Sequence, residues 1–299
     1  MIKIKNKFKL KLSLIMFISI FLFVSINPVF ADSMAGSQII TLGKDLSKTQ
    51  RDQILQQFEA AQDVPIVEVT NQEEHQYLGD TLPAKVIGSK AISSSMITFG
   101  ESGSGLTIDS NNITWVTNEM YISALTTAGI SDAEIKVTAP FPVSGTAALT
   151  GIIKAFEQAT GKEINEDVKK VANEEMVRTA QLADQIGDKE KAVEFMKRIK
   201  EELAKQSAKL SDAELRALIE QVAQDLNIQL TGDELNSLIS LLRKLQNANI
   251  DWDLVSQRLD QIKTGFQNFV QNNPEAKSFF RELLNFIKNL IDKILSWLG

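Results

Sequence analysis

Few side chains in this chain can exchange protons or attack a substrate near neutral pH, because its 299 residues include one histidine and no cysteine. The histidine, His75, lies in Glu73-Glu74-His75-Gln76-Tyr77, a polar stretch that reads as the exposed first turn of a short helix. A Ser-His-Asp triad would need it, yet no Gly-x-Ser-x-Gly turn exists to present a serine, and the glycines between 100 and 105 have the wrong spacing. Zinc lacks its His and Cys ligands. Asp109-Ser110-Asn111-Asn112 opens like a calcium loop but lacks the later glycine and the distal glutamate, so it reads as a turn. The pairs Glu174-Glu175 and Glu201-Glu202 sit among lysines in helical sequence and read as solvated faces. These patterns predict no catalytic residue, no metal site and no cofactor.

Two segments have the character of binding surfaces instead. Ala139-Pro140-Phe141-Pro142-Val143-Ser144-Gly145-Thr146 leaves a strand and enters a helix. Its prolines stiffen it, Ser144 and Thr146 can cap, and the N–H groups of a helix start suit a carboxylate or phosphate. Ser144, Gly145 and Thr146 are therefore a candidate binding loop, with a rigid joint between two halves of the chain as the favoured alternative. The second segment is 275–299, where Phe279, Phe280, Leu283, Ile287, Leu290, Ile294 and Trp297 keep helical register. Such a helix docks on a bundle, which is the favoured reading, or lies in a membrane interface or against a partner helix.

The elements that position these segments follow from the turn-forming residues. Pro65, Pro83, Pro140 and Pro142 and most glycines fall before residue 146, and beyond it only Pro274 interrupts a helical pattern. In 32–145 the reading is βαβαββαβ. A strand at 39–42 precedes a helix after Ser47, and a strand at 64–69 precedes a helix that Asn71 caps, with Glu74 three residues on. The arms 86–99 and 106–116 around the glycine-rich turn predict a long β-hairpin. Thr117 caps a helix that ends at Gly129, and 135–138 resumes as a strand. The expected fold class is α+β: a mixed sheet with helices mostly on one face, followed by an all-α region over 146–273 and the amphipathic helix of 274–299. Segments 164–186 and 188–209 read as an αα-hairpin with solvated outer faces. Leu210-Ser211-Asp212-Ala213-Glu214-Leu215 and Leu230-Thr231-Gly232-Asp233-Glu234-Leu235 then form a weak repeat of two capped helices.

Five lysines between Lys3 and Lys11, an apolar run from Leu12 to Val24, and Val29-Phe30-Ala31 together read as a signal peptide over 1–31, cleaved between Ala31 and Asp32. The net charge of −6 then becomes −11, since the removed segment holds five lysines and no acid. An acidic chain repels duplex DNA, so nucleic acid is not an expected partner. The absence of cysteine excludes disulfides and a lipid anchor through a cysteine, and fits the exterior of a Gram-positive cell.

Thr117-Asn118-Glu119-Met120-Tyr121, Ala124 to Ile130, and Ala139 to Gly151 carry a resemblance. The chain resembles the YpuA-like secreted proteins of Gram-positive bacteria, a family of unknown function, over about 37–207. The resemblance implies an extracytoplasmic protein of the cell envelope and supplies no reaction or ligand. The expected function is accordingly a secreted, non-enzymatic protein that binds a cell-wall or membrane surface or a protein partner. The alternatives are a hydrolase or ligand-binding enzyme of wall polymers, and a membrane-surface protein held by its terminal helix.

Overall fold

A computed structural model describes residues 34–259. The expected signal peptide over 1–31, its expected cleavage between Ala31 and Asp32, and the expected apolar face from Phe279 to Trp297 lie outside the described residues.

The chain opens with β1 (Gln38–Gly43), α1 (Lys48–Gln57), β2 (Ile66–Val69), α2 (Asn71–Leu78) and a single turn, α3 (Ala84–Ile87). It continues through β3 (Ser94–Phe99), β4 (Leu106–Ile113), α4 (Asn118–Thr127) and β5 (Ala133–Val143). The five strands form one sheet in the order β2-β1-β3-β5-β4. β1 runs parallel to β2, β3 runs antiparallel to both β1 and β5, and β4 runs parallel to β5. The sheet is thus two βαβ units, each with its own crossover helix, joined through β3. The fold is α+β with a mixed sheet.

The expected hairpin is corrected by this order, because β5 lies between β3 and β4. β4 alternates half-buried Leu106 and Ile108 with exposed Thr107 and Asp109, which one covered face can accommodate and two cannot. β5 carries Ile135, Val137 and Ala139 against the core and takes the interior position. The glycine-rich 100–105 segment is tied down at its tip, with Gly103 and Gly105 donating their N–H groups to Asp132 Oδ1 at 3.1 and 2.9 Å. The Asp109–Asn112 stretch lies in β4 and includes its bulge, with Asn112 at φ +59°.

Helices cover the two sheet faces unequally. Ile54 and Phe58, on and just after α1, close one face over Ile40, Leu42 and Met96. The other face, with Ile39, Val67, Ile97, Ile135 and Val137, belongs to the large core. It is covered by α4 and by α5 (Thr146–Thr160). α5 approaches so closely that a Cβ on Gly151 would lie 2.8 Å from Val69 Cγ2 and 2.9 Å from Thr41 Oγ1. Packing therefore runs across residue 145 without a break.

Beyond α5 follow α6 (Glu166–Ile186), α7 (Lys189–Ala204), α8 (Asp212–Asp225) and α9 (Gly232–Asn247). Gly187, left-handed at φ +67°, ends α6 and starts the antiparallel return along α7. α8 and α9 each open with a complete capping box, Ser211 with Glu214 and Thr231 with Glu234. α6 packs against α2, α4, α5, α7 and α9 and is the central helix of the helical layer. That corrects the solvated face expected for it: Glu175 is fully buried and Glu174 nearly so.

Candidate functional site

The site begins with the capping of α2. Thr70 is its N-cap and accepts from the Glu73 N–H at 3.2 Å, while Glu73 Oε2 accepts from the Thr70 N–H at 2.8 Å. The helix thus opens one residue before the expected Asn71, and its closing carboxylate is Glu73 rather than Glu74. Glu73 Oε1 accepts from Lys154 Nζ of α5 at 2.5 Å. Burial works to raise this carboxyl, but the Lys154 ammonium and the Thr70 N–H and hydroxyl outweigh it and hold it below the ordinary range.

The same shift turns Glu74 inward, to 1% exposure. Its Oε2 accepts from Asn71 Nδ2 and its Oε1 from Thr146 Oγ1, both at 3.2 Å. Burial pushes its pKa up to about 7 despite these two bonds, and the Asp45 charge adds to the rise. His75 is half-buried, with Nε2 3.1 Å from the Gly88 carbonyl oxygen.

Between α2, α5 and α6 lies a cavity of about 220 Å³. Each helix presents one face to it: Glu73 and Tyr77 from α2, Thr150, Ile153, Lys154 and Glu157 from α5, Lys169 and Asn173 from α6. The spacings are those of side chains stacked one turn apart. Lys154 Nζ donates to the Glu68 carbonyl at 2.8 Å as well as to Glu73. Lys169 Nζ lies 3.1 Å from Glu157 and 2.5 Å from Glu166, and 5.8 Å from the centre of the Tyr77 ring. Burial works to lower the Lys169 pKa, but Glu166 and Glu157 outweigh it and raise it above that of an ordinary lysine. Burial raises the Tyr77 phenol, against the pull of Lys169.

Two of these residues carry a buried polar atom with no hydrogen-bond partner among the described residues, Thr150 Oγ1 and Asn173 Oδ1, and both oxygens are sealed within the packing rather than open to the cavity. Both side chains are buried, Thr150 at 3% exposure and Asn173 at 0%. Asn173 Nδ2 donates to the Lys169 carbonyl at 2.9 Å, which fixes the amide orientation, since a flipped amide would set oxygen against oxygen. Tyr77 also lines a second cavity of about 280 Å³, where Lys244 Nζ of α9 donates to Glu174 Oε2 at 2.6 Å.

The expected binding loop lies beside this seam and does not line the cavity. Gly145 is at φ +99°, and a Cβ there would collide with Tyr121 Oη and Ile113. Its carbonyl accepts from Tyr121 Oη at 2.6 Å, and the Ser144 carbonyl accepts from the Val116 N–H at 3.2 Å. Thr146 is buried against Glu74, and Ser144 Oγ lies 3.3 Å from Thr146 Oγ1. No cluster of three or more metal-ligating side chains forms among the described residues.

A family model described as a protein of unknown function, DUF1002, matches residues 42–262. The chain belongs to this family. The uncharacterized protein YpuA of Bacillus subtilis (strain 168) is 44% identical over 266 residues, which cover 89% of this chain and 91% of that protein. No solved structure matches the chain. The resemblance carried by Thr117–Gly151 is therefore one of family, and every cavity residue falls inside the matched range.

The polar residues that sequence reasoning missed are those on buried stripes. Lys200 is fully buried and donates from Nζ to Glu175 Oε1 at 3.0 Å, Thr127 Oγ1 at 2.8 Å and the Ser123 carbonyl at 2.9 Å. A detectable signal existed. Met196, Lys200 and Leu203 share one face of α7, and Ala172, Glu175 and Thr179 share one face of α6.

Proposed function

We propose that this is a secreted, non-enzymatic protein of the cell envelope that acts by binding, and that the cavity between α2, α5 and α6 is where it binds. The observation that supports the reading is the cavity's charged lining, Lys154 and Lys169 with Glu73 and Glu157, gathered from three helices around about 220 Å³.

The carboxyls argue for binding over hydrolysis. A general acid must keep its proton near neutral pH and reach the substrate. Glu74 has the pKa for that task but is sealed beneath Asn71 and Thr146, away from the cavity. Glu73 reaches the cavity but is held ionised by Lys154 and Thr70. Among the described residues, no helix is long and apolar enough to cross a membrane.

Fractionation of producing cells tests both parts of the proposal. The full chain is expected in the salt-washed envelope fraction. Native mass spectrometry of the released protein is expected to show a small adduct that the Lys154→Met variant lacks. A chain confined to the cytoplasm, no adduct on the wild type, or the same adduct on both proteins overturns it.

A further inference from the structure

We infer that residues 70–88, which carry α2 and α3 between β2 and β3, form a flap that a proton on Glu74 holds against the start of α5, and that loss of this proton releases it. The consequence for a bound solute rests on the binding reading above, because the flap walls both cavities. Glu73 and Tyr77 line one, and Tyr77, Asp80 and Thr81 line the other. The packing marks this segment as separable. Leu78, Leu82 and Ile87 form a small apolar cluster with Val177 of α6, apart from the large core that joins sheet and helices. Segments held by few apolar contacts open more readily than a core does. Asn71 Nδ2 donates to the Gly88 carbonyl at 3.3 Å and so binds the flap to itself, while Glu73 and Glu74 tie it to α5 through Lys154 and Thr146.

The Glu74 tie is built for a neutral carboxyl. Protonated on Oε1, the group donates to Thr146 Oγ1, whose own hydrogen turns to Ser144 Oγ at 3.3 Å, and Oε2 still accepts from Asn71. Ionised, it meets no cation. Among the described residues no ammonium or guanidinium pairs with Glu74: Lys154 of α5 is taken by Glu73 and the Glu68 carbonyl, and Lys169 of α6 by Glu157 and Glu166. The Asp45 carboxylate, from the β1–α1 connection, opposes a charge there, and Tyr121 of α4 spends its hydroxyl on the Gly145 carbonyl. Water is the remaining partner for an ionised Glu74, and it arrives when the flap lifts. The hold is full below about pH 4.5 and is lost as the pH rises through about 7.

Amide hydrogen exchange of the full-length protein at pH 5 and pH 8, corrected for the pH dependence of the exchange chemistry, tests this. The α2 amides are expected to exchange faster than those of β3 and β5 at both values. Their protection is expected to fall at least about ten-fold from pH 5 to pH 8 in the wild type and to stay level in Glu74→Gln. His75 is present in both proteins, so its own response cancels in the comparison. Thr146→Val, which removes the hydroxyl that meets the carboxyl, is expected to lower α2 protection about five-fold at pH 5. A level wild type, an equal fall in Glu74→Gln, or α2 protection matching that of β3 and β5 overturns the flap, and so does unchanged α2 protection in Thr146→Val. No ligand enters these measurements. Their failure leaves the binding reading to the envelope-derived adduct, and a missing adduct leaves the flap standing.

Discussion

Glu74 shows how one residue of helix register decides what a carboxylate does. Thr70 and Asn71 can both cap, and glutamates stand three residues beyond each, so local sequence supports two helix starts equally. Packing breaks the tie: with Thr70 as cap, Glu74 and Leu78 share the buried face of α2. The consequence is measurable. The folded-state pKa of Glu74, about 7, lies above the ordinary 4.5, so the folded protein holds a proton that the unfolded chain has released. The associated stability is fully present below about pH 4.5 and is lost as the pH rises through about 7, on the order of 3 kcal/mol in all. Urea unfolding at pH 5 and pH 8 should therefore show the wild type losing stability relative to Glu74→Gln, which has no proton to lose. Parallel behaviour of the two proteins would mean that Glu74 is hydrated. Lys200 and Glu175 teach the companion lesson: in helices rich in both charges, the stripe position marks a buried pair, and composition does not.

At the scale of elements, most strands and helices were legible and strand neighbours were not. Periodicity, caps and glycines are local and place β1, α1, β2, α2, α4 and β5 close to where they stand. Pairing is settled by which strands can be buried on both faces, and β4, with Thr107 and Asp109 exposed, is fit only for an edge. The cavity was illegible for a related reason. Its lining comes from three helices whose polar residues each look like a solvated face, and only their convergence encloses them. That convergence depends on how closely α5 sits on the sheet, which Gly151 permits. A Cβ there meets Val69 and Thr41 at 2.8 and 2.9 Å, so Gly151→Ala should push α5 outward and destabilise the protein by about 1–3 kcal/mol, as overpacking does. Thermal melting followed by circular dichroism reads this directly. An unchanged or higher melting temperature would mean that α5 shifts freely or that the gain in helix propensity dominates.

For the whole molecule, composition and packing divide the chain differently. Prolines and glycines thin out after residue 145, and the sequence reads as a sheet-bearing part followed by a helical one. The core does not stop there, because Ile39, Val67, Ile97 and Ile135 of the sheet and Ala148, Leu149, Ile152 and Ile153 of α5 belong to one apolar cluster. Cutting after residue 145 would leave one face of the sheet open to water over several large aliphatic side chains, each worth about 1.5–3 kcal/mol when buried. A domain this small is stable by only about 5–15 kcal/mol in total. A fragment of residues 34–145 is therefore expected to lack the dispersed amide spectrum of a folded protein, while the full chain shows it. A dispersed spectrum from the fragment would establish the sheet as an independent folding unit and make α5 an addition to it. The same continuity bears on the cavity. α2 belongs to the sheet-bearing part and α5 and α6 to the helical one, so the cavity exists only where the two meet. Any condition that loosens α5 from the sheet should open this cavity and lower sheet stability together.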